Sequence, residues 1–187
     1  MQGIIKIFPH LAWLMLFFGM ASAQDEGLFV VRSVNTNSNE GVLYLDVYID
    51  YALSSRAIEA LHSGIELNID VEINLRRNRN FLPDENIATL TQEYILNYNE
   101  LTERYSVLNI NSRHLSTFTN IASGLNSMGR LSRIPVIDET LLNAEEDYII
   151  ELRSSLNVRT DYGLTQFLNV FRNNINIESE WFRWQVD

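Results

Sequence analysis

Two segments of the chain alternate between apolar and polar residues with a period of two, which constrains the fold more than any other feature. In Val42–Tyr51 the even positions include two tyrosines and two aspartates, and the odd positions are Leu43, Leu45, Val47, Ile49 and Tyr51. In Ile65–Arg76 every odd position is aliphatic and every even position is polar or charged. Because successive side chains of a strand point to opposite faces, each segment is predicted to be a strand with one buried face. Such one-sided burial is typical of antiparallel sheets.

Weaker patterns predict more strands and three helices. The further strand segments are Leu28–Val34, Glu93–Tyr98, Arg104–Ile110 and Asp147–Val158, and polar Asn35–Gly41 is predicted to be a hairpin loop. Apolar residues at helical spacing predict helices over Ser55–His62, Leu115–Met128 and Leu164–Ile175. We therefore expect a mainly β or α+β fold. It would be a twisted antiparallel sheet or an immunoglobulin-like β-sandwich of about six or seven strands, with about three short helices.

The N-terminus has the three parts of a secretory signal peptide. Lys6 precedes the apolar stretch Leu11–Met20, and the small residues Ala21-Ser22-Ala23 fit cleavage before Gln24. The apolar stretch is shorter than the roughly 20 residues that a membrane span needs, and no later stretch approaches that length. Residues 1–23 are predicted to be a cleaved signal and residues 24–187 a single globular domain, which is periplasmic or secreted. An uncleaved anchor is the alternative.

Composition excludes several classes of protein. The chain has no cysteine, so disulfides, thiolate metal sites and lipid attachment at a cysteine are ruled out. Lys6 is the only lysine, and its removal leaves 13 arginines against 24 carboxylates, a formal charge of −11. Such a field repels phosphate backbones and anionic bilayers, so neither a nucleic acid nor a membrane surface is an expected partner.

The chain offers few groups for catalysis. After the signal segment it has two histidines, His62 and His114, and neither belongs to a nucleophile elbow or a metal-binding motif. There is no glycine-rich phosphate loop either. The sequence therefore predicts no catalytic residue, no metal ligand and no cofactor, and it favours a non-enzymatic role.

Three groups of exposed residues are candidates for binding. They are the polar strand faces with Tyr44, Asp46, Tyr48, Asp50 and Asp70, the basic cluster Arg76, Arg77 and Arg79, and the C-terminal tryptophans Trp181 and Trp184. Exposed tyrosines among acids suit a protein interface, although cross-strand pairing would also explain them. The arginines could grip a carboxylate or phosphate, and the alternative is a solvated turn. The tail is predicted to dock as an edge strand or to recruit a partner by strand addition.

The acidic strand faces are a candidate site for calcium binding. If the two alternating strands are neighbours, Asp46, Asp50, Asp70 and Glu72 converge and could hold Ca²⁺ or a cationic partner. The alternative is a solvated acidic face.

Several stretches resemble a bacterial protein family. They are Phe29–Val34, Leu45-Asp46-Val47, Leu53-Ser54, Ala60-Leu61, Gly64-Ile65, Tyr94, Tyr98-Asn99, Leu101–Tyr105, Pro135–Asp138, Ser179, Trp181 and Trp184. In this pattern the chain resembles a family of exported bacterial proteins defined by a domain of unknown function (4390), over nearly all of residues 24–187. The resemblance implies an envelope location and a role near a sensor kinase and its response regulator. It implies no activity and no catalytic residue.

The leading hypothesis is a non-enzymatic periplasmic interaction module that binds an envelope protein. Its contact surface would be the face with Tyr44 and Tyr48 or the tryptophan-rich tail. One alternative is an envelope enzyme that works through carboxylates, or a carbohydrate-binding protein. The other is a structural accessory that helps another protein fold or assemble.

Overall fold

A computed structural model describes residues 27–79, 81–158 and 175–186. The chain is mainly β, and every strand pairing in this part of it is antiparallel. The strands are β1 (Leu28–Asn39), β2 (Val42–Ala52), β3 (Leu67–Arg77), β4 (Glu85–Asn99), β5 (Arg104–Asn109), β6 (His114–Phe118), β7 (Arg130–Asp138), β8 (Tyr148–Val158), β9 (Ile177–Glu178) and β10 (Phe182–Gln185). The helices are α1 (Ser55–His62), α2 (Ile121–Gly129) and a 3₁₀ turn at Glu139–Leu141.

The strands form two sheets. The smaller has the order β1-β2-β7, and the larger has the order β10-β8-β3-β4-β5-β6, with β9 also paired to β8. Apolar side chains of both sheets belong to one hydrophobic core. Leu67, Ile69, Val71, Ile73 and Leu75 of β3 are all fully buried, as the period-two pattern predicted. A buried hydrogen bond of 3.1 Å joins Tyr51 Oη at the end of β2 to Ser154 Oγ in β8. Burial raises the pKa of that Tyr51 phenol well above its usual range.

Both alternating segments are confirmed as strands, but they lie in different sheets. β2 is the central strand of the small sheet, and β3 pairs with β4 and β8 in the large one. The condition for a shared carboxylate cluster is therefore not met, because Asp46 and Asp50 do not share a sheet face with Asp70 and Glu72. Within the described ranges, no three histidine or acidic side chains are placed to hold a metal ion.

The first hairpin differs from the prediction. Asn35–Asn39 is not a loop but the second half of β1, and it pairs with β2 up to Asn39 opposite Val42. The turn is reduced to Glu40 and Gly41, whose φ angles are 53° and 77°. Two positive φ angles are the signature of a type I′ turn, the tightest connection between antiparallel strands. The polar residues that suggested a loop instead occupy an edge strand.

The helices agree with prediction in part. α1 spans the predicted Ser55–His62, and Ser54 Oγ caps it by accepting a hydrogen bond of 3.2 Å from Ala57 N–H. The second helix begins at Ile121 rather than Leu115, because residues 114–118 pair with β5 and Asn120 provides the N-cap. The third predicted helix, Leu164–Ile175, falls outside the described residues except for Ile175. No helix in the described part of the chain is long and apolar enough to cross a bilayer.

The structure confirms the other predicted strands, and one of them is longer than expected. The predicted hairpin of 93–98 and 104–110 is present as β4 and β5, although β4 begins as early as Glu85. The strand 147–158 is present as β8. Short or irregular strands (β6, β7, β9 and β10) bring the number in the described ranges to ten rather than six or seven.

Candidate functional site

The even-numbered side chains of β2 lie on the outer face of the small sheet. The odd-numbered residues of β2 from Leu43 to Tyr51 are all buried, which turns Tyr44, Asp46, Tyr48 and Asp50 away from the core. The neighbouring strands β1 and β7 add arginines to the same face. We call the surface formed by Tyr44, Asp46, Tyr48, Asp50, Arg130 and Arg133 the tyrosine face.

Asp46 forms hydrogen bonds to both neighbouring strands. Its Oδ1 accepts a hydrogen bond of 2.7 Å from the backbone N–H of Arg133 in β7, and its Oδ2 accepts one of 3.1 Å from Asn37 Nδ2 in β1. Arg133 has a φ of 54°, and the β2–β7 register shifts between Leu45 and Val47. The carboxylate therefore sits on a β-bulge and satisfies a backbone donor that the bulge removes from the ladder.

Asp50 makes a more ordinary contact. Arg32 donates to its Oδ2 through Nη2 at 2.8 Å and through Nε at 3.3 Å. Arg32 lies where the β1–β2 register shifts, so this pair also marks an irregularity in the ladder. Both side chains are about half exposed, and exposed ion pairs are worth less than about 1 kcal/mol.

Two arginines of β7 stack on the tyrosines. The guanidinium carbon of Arg133 lies 5.4 Å from the ring centroid of Tyr44, and that of Arg130 lies 5.9 Å from the ring centroid of Tyr48. These distances fit cation–π contacts. Neither guanidinium forms an ion pair with any residue in the described ranges. These contacts place two cations beside the tyrosines, and no residue in the described ranges forms an ion pair with them.

A shallow groove runs beside the Tyr48–Arg130 stack. Its volume is about 420 Å³, and its lining combines the buried edges of Val47 and Leu131 with the polar residues Ser33, Asn35, Asp46 and Ser132. Because Val47 and Leu131 are almost fully buried, the exposed lining comes from Tyr48, Arg130 and the polar residues, and tyrosine and arginine are enriched at protein interfaces.

The predicted basic cluster is engaged by the protein's own carboxylates. Arg76 Nε lies 2.7 Å from Glu151 Oε2, and Arg77 Nη1 lies 2.7 Å from Glu146 Oε2. Arg77 also pairs with Glu85, and this contact holds the pKa of the Glu85 carboxyl below its usual range. An external anion at this cluster would have to displace these carboxylates.

Arg79 closes the loop after β3. Its Nε and Nη2 donate to the carbonyl oxygen of Pro83 at 3.0 and 2.7 Å. A weaker contact of 3.6 Å joins Nη1 to Glu85 Oε2. The three arginines of the predicted cluster thus tie strand ends and a turn together.

Asp70 lies on the outer face of the large sheet, in a separate groove of about 300 Å³. Its Oδ2 accepts a hydrogen bond of 3.3 Å from Asn157 Nδ2, and in the β3–β4 register it is opposite Glu93. Ile95 and Ile110 complete the lining together with amide side chains. The structure thus separates Asp70 from the tyrosine face.

The C-terminal tryptophans have different environments. The segment Phe182–Gln185 pairs with β8 as an edge strand, and Trp184 packs against the core. Trp181 is 40% exposed, and the guanidinium of Arg153 lies 4.4 Å from its ring centroid. Arg153 also pairs with Glu72 at 3.1 Å and with Glu178. This network fastens the tail to the outer face of the large sheet.

The two histidines in the described ranges, His62 and His114, have surface positions. His62, in the last turn of α1, lies 2.7 Å from Tyr105 Oη through Nε2, and its ring packs on Tyr98. His114 is exposed at the start of β6. His62 thus joins α1 to the β4–β5 hairpin, a contact that the sequence did not predict.

Sequence reasoning missed the arginines of the tyrosine face. Arg130 and Arg133 lie far from Tyr44 and Tyr48 along the chain, and residues 130–134 belong to no predicted strand or helix. Strand β7 was not predicted because its sequence contains Pro135 and does not alternate strictly between apolar and polar residues. Its pairing with β2 is also irregular, with two register shifts. Only the β2–β7 pairing brings these cations onto the tyrosines.

These features define a mainly β fold of antiparallel sheets, with half-buried tyrosines and exposed arginines on one outer face. The chain belongs to the family described as Domain of unknown function (DUF4390), whose sequence profile matches residues 27–185. No curated protein and no solved structure matches the chain.

Proposed function

We propose that this protein is an exported, non-enzymatic interaction module of the bacterial envelope, and that it binds another protein through the tyrosine face. Its biological role would be accessory to an envelope signalling system. The observation that carries the proposal is the pair of tyrosine–arginine stacks at Tyr44 and Tyr48, next to a groove on an otherwise acidic protein.

Residue type supports a protein partner. Tyrosine and arginine are enriched at the energetic centres of protein interfaces, since each offers a large contact area and a directional polar group. Here cation–π contacts bring the two residue types together on one face. The net negative charge of residues 24–187 keeps the rest of the surface soluble.

Site-specific crosslinking tests this proposal. A photoactivated crosslinking residue would replace Tyr48, and a matched control would replace Glu59, an exposed residue of α1. Amine-reactive reagents are unsuitable, because Lys6 is the only lysine. A reproducible envelope protein captured at position 48 and not at position 59 supports the proposal. Capture at both positions, or at neither, contradicts it.

Export has its own test. We infer that residues 1–23 are removed during secretion and that the mature chain begins at Gln24. N-terminal sequencing of the protein from a periplasmic extract checks this. A chain that retains Met1 or stays in the cytoplasm contradicts it.

We also infer that the two sheets are the layers of an immunoglobulin-like sandwich. The Tyr51–Ser154 hydrogen bond and the shared core, which includes Leu45 of β2 and Leu152 of β8, support face-to-face packing. Aligned sandwiches keep their strand directions within roughly 30° of each other. A crystal structure with the two sheets crossed near a right angle would contradict this arrangement.

A second candidate function rests on the groove at Asp70. Carboxylate and amide side chains beside Ile95 and Ile110 would suit a carbohydrate or a carboxylate-dependent reaction. The change Asp70→Asn distinguishes this function from the first. It should abolish glycan binding or a pH-dependent activity if the groove is the site, and it should leave capture at position 48 unchanged.

A further inference from the structure

Two arginine side chains on the tyrosine face differ from most others in the described chain. Six arginines there contact carboxylates, namely Arg32, Arg76, Arg77, Arg79, Arg153 and Arg183. Arg130 and Arg133 instead stack on tyrosine rings, and their guanidinium groups have no carboxylate partner in the described ranges. In a protein with 24 carboxylates, two exposed arginines of one face whose guanidinium groups contact no acid in this part of the chain are candidates for binding an anion.

The nearby acids form no ion pair with these two guanidinium groups. Asp46 already accepts hydrogen bonds from Asn37 and from the Arg133 backbone, and Asp50 is held by Arg32. The groove is lined by the charged side chains of Arg130 and Asp46 and by the neutral polar side chains of Ser33, Asn35 and Ser132. On this face Arg32, Arg130 and Arg133 outnumber the carboxylates of Asp46 and Asp50, and the guanidinium groups of Arg130 and Arg133 contact neither of them, which favours an anionic ligand.

The chemistry of the two cations suits a carboxylate ligand. A guanidinium is planar and carries its donors in a fork that matches a carboxylate. Each guanidinium carbon lies 5.4 or 5.9 Å from a tyrosine ring centroid, and with no carboxylate partner in the described ranges its donors remain open to a second group. Arg130 and Arg133 are both exposed, so their edges are accessible.

The spacing of the two stacks selects the shape of the ligand. Tyr44 and Tyr48 are four residues apart on one face of a strand. At about 3.4 Å per residue, this separation is roughly 14 Å. Two side chains four residues apart in an extended peptide span the same distance, whereas in a helix they are separated by only about 6 Å along the axis.

We infer that the tyrosine face binds an extended acidic segment of its partner protein, with two carboxylate side chains four residues apart that contact Arg133 and Arg130. This inference rests on the proposed function and names the chemistry of the partner. The segment lies along β2, and its intervening residues cover the groove beside Tyr48.

Synthetic peptides test the chemistry directly. The probes are nine-residue serine/threonine peptides with glutamate at positions 3 and 7, and comparison peptides with glutamate at 3 and 6 or glutamine at 3 and 7. Binding to the purified protein is followed by NMR, with Kd from titration. The 3/7 glutamate peptide should shift amide signals of β2 and β7 and should bind at least about fivefold more tightly than either comparison peptide.

Substitutions that remove or reverse the charges of Arg130 and Arg133 provide the decisive test. Arg130→Gln and Arg133→Gln should each weaken binding of the 3/7 peptide by about fivefold, and Arg183→Gln, on β10, should not. Arg133→Gln keeps the backbone N–H that donates a hydrogen bond to Asp46, so the bulge is retained. The double variant R130E/R133E should reject this peptide and bind its lysine counterpart.

The outcomes separate the inference from the proposed function. Equal binding of all peptides, or binding that is unchanged in the arginine variants, overturns the inference. If crosslinking at position 48 still captures a partner in R130E/R133E, the interaction module stands but the acidic segment does not. If position 48 captures nothing while the 3/7 peptide binds specifically, the acidic-segment inference is supported and the proposed capture is contradicted. Dimerisation of the protein through this face would also overturn the inference.

Discussion

The carboxylate of Asp46 accepts a hydrogen bond of 2.7 Å from the backbone N–H of Arg133, at the bulge where β7 passes β2. The same arginine extends its guanidinium over Tyr44. One acid thus sets the backbone of a residue whose side chain contributes to the candidate binding surface. Asp46 was predicted as a contact residue, and the structure gives it a positioning role as well.

This relationship predicts unequal effects for two aspartates on the same face. Asp46→Ala leaves a backbone donor at the bulge without its partner and should lower the free energy of unfolding by about 1–2 kcal/mol. Asp50→Ala removes only an exposed pair with Arg32 and should lower it by less than about 1 kcal/mol. Urea denaturation measures both. An Asp50→Ala loss as large as that of Asp46→Ala would contradict the assigned role.

A substitution in the β1–β2 turn should increase the stability of the protein. Glu40 has a φ of 53°, a conformation in which asparagine is favoured over glutamate. Glu40→Asn should therefore raise the free energy of unfolding by about 0.5–1 kcal/mol. Gly41→Ala, at a φ of 77°, should lower it by roughly 1–2 kcal/mol. Thermal denaturation checks both, and a less stable Glu40→Asn variant would count against the type I′ assignment.

Two glycines of α2 should respond in opposite ways to alanine. A Cβ on Gly129 would lie 2.1 Å from the backbone oxygen of Ile49, so helix and strand could not keep their present distance. A Cβ on Gly124 would meet side-chain atoms of Phe118 and Val107 at 3.6 Å, which is ordinary contact. Gly129→Ala should cost about 3 kcal/mol or more. Gly124→Ala should be neutral or stabilising by up to about 1 kcal/mol.

Circular dichroism with urea denaturation separates these two glycine variants. A tolerated Gly129→Ala would mean that α2 does not lie against β2 at this point. A Gly124→Ala variant as unstable as Gly129→Ala would show that helix α2 rejects any added methyl group, whatever the local contact.

Acid stability should depend on Glu72. The hydrogen bond of 3.0 Å from Asn74 Nδ2, followed by the contact with Arg153, lowers the pKa of the Glu72 carboxyl. A lowered folded-state pKa adds stability above the unfolded pKa of about 4.3, and this is lost as the pH falls through the folded value. Glu72→Gln should therefore reduce the loss of stability between about pH 5 and pH 3.

A matched control for this change is Glu100→Gln, in the exposed β4–β5 loop. It removes one carboxylate without touching the Arg153 network. Denaturation midpoints measured across the acid range should have a shallower slope for Glu72→Gln than for Glu100→Gln. Equal slopes would mean that the Asn74 and Arg153 contacts do not couple Glu72 to folding.

Local pattern determined the central strands and the first helix. The alternation in β2 and β3 specifies which residues are buried, because the side-chain period of a strand is two and one face must leave water. Ser54 and Gly64 bracket α1 for an equally local reason, since they satisfy the ends of the helix. The exposure of Tyr44 and Tyr48 follows from the same alternation.

Tertiary structure decided the secondary structure of two segments in which strand pairing overrides the local sequence pattern. Residues 114–118 have helical spacing yet pair with β5, and Asn35–Asn39 looks like a loop yet pairs with β2. Backbone hydrogen bonds to a neighbouring strand outweighed weak local preferences at both places.

The chemistry of the candidate site was decided in the same way. The sequence by itself determined that Tyr44, Asp46, Tyr48 and Asp50 face the solvent. Only the order β1-β2-β7 placed Arg130 and Arg133 beside these residues and moved Asp70 and Glu72 to another sheet. Strand order depends on contacts between residues far apart in the chain, and no local pattern records which strand will be the neighbour.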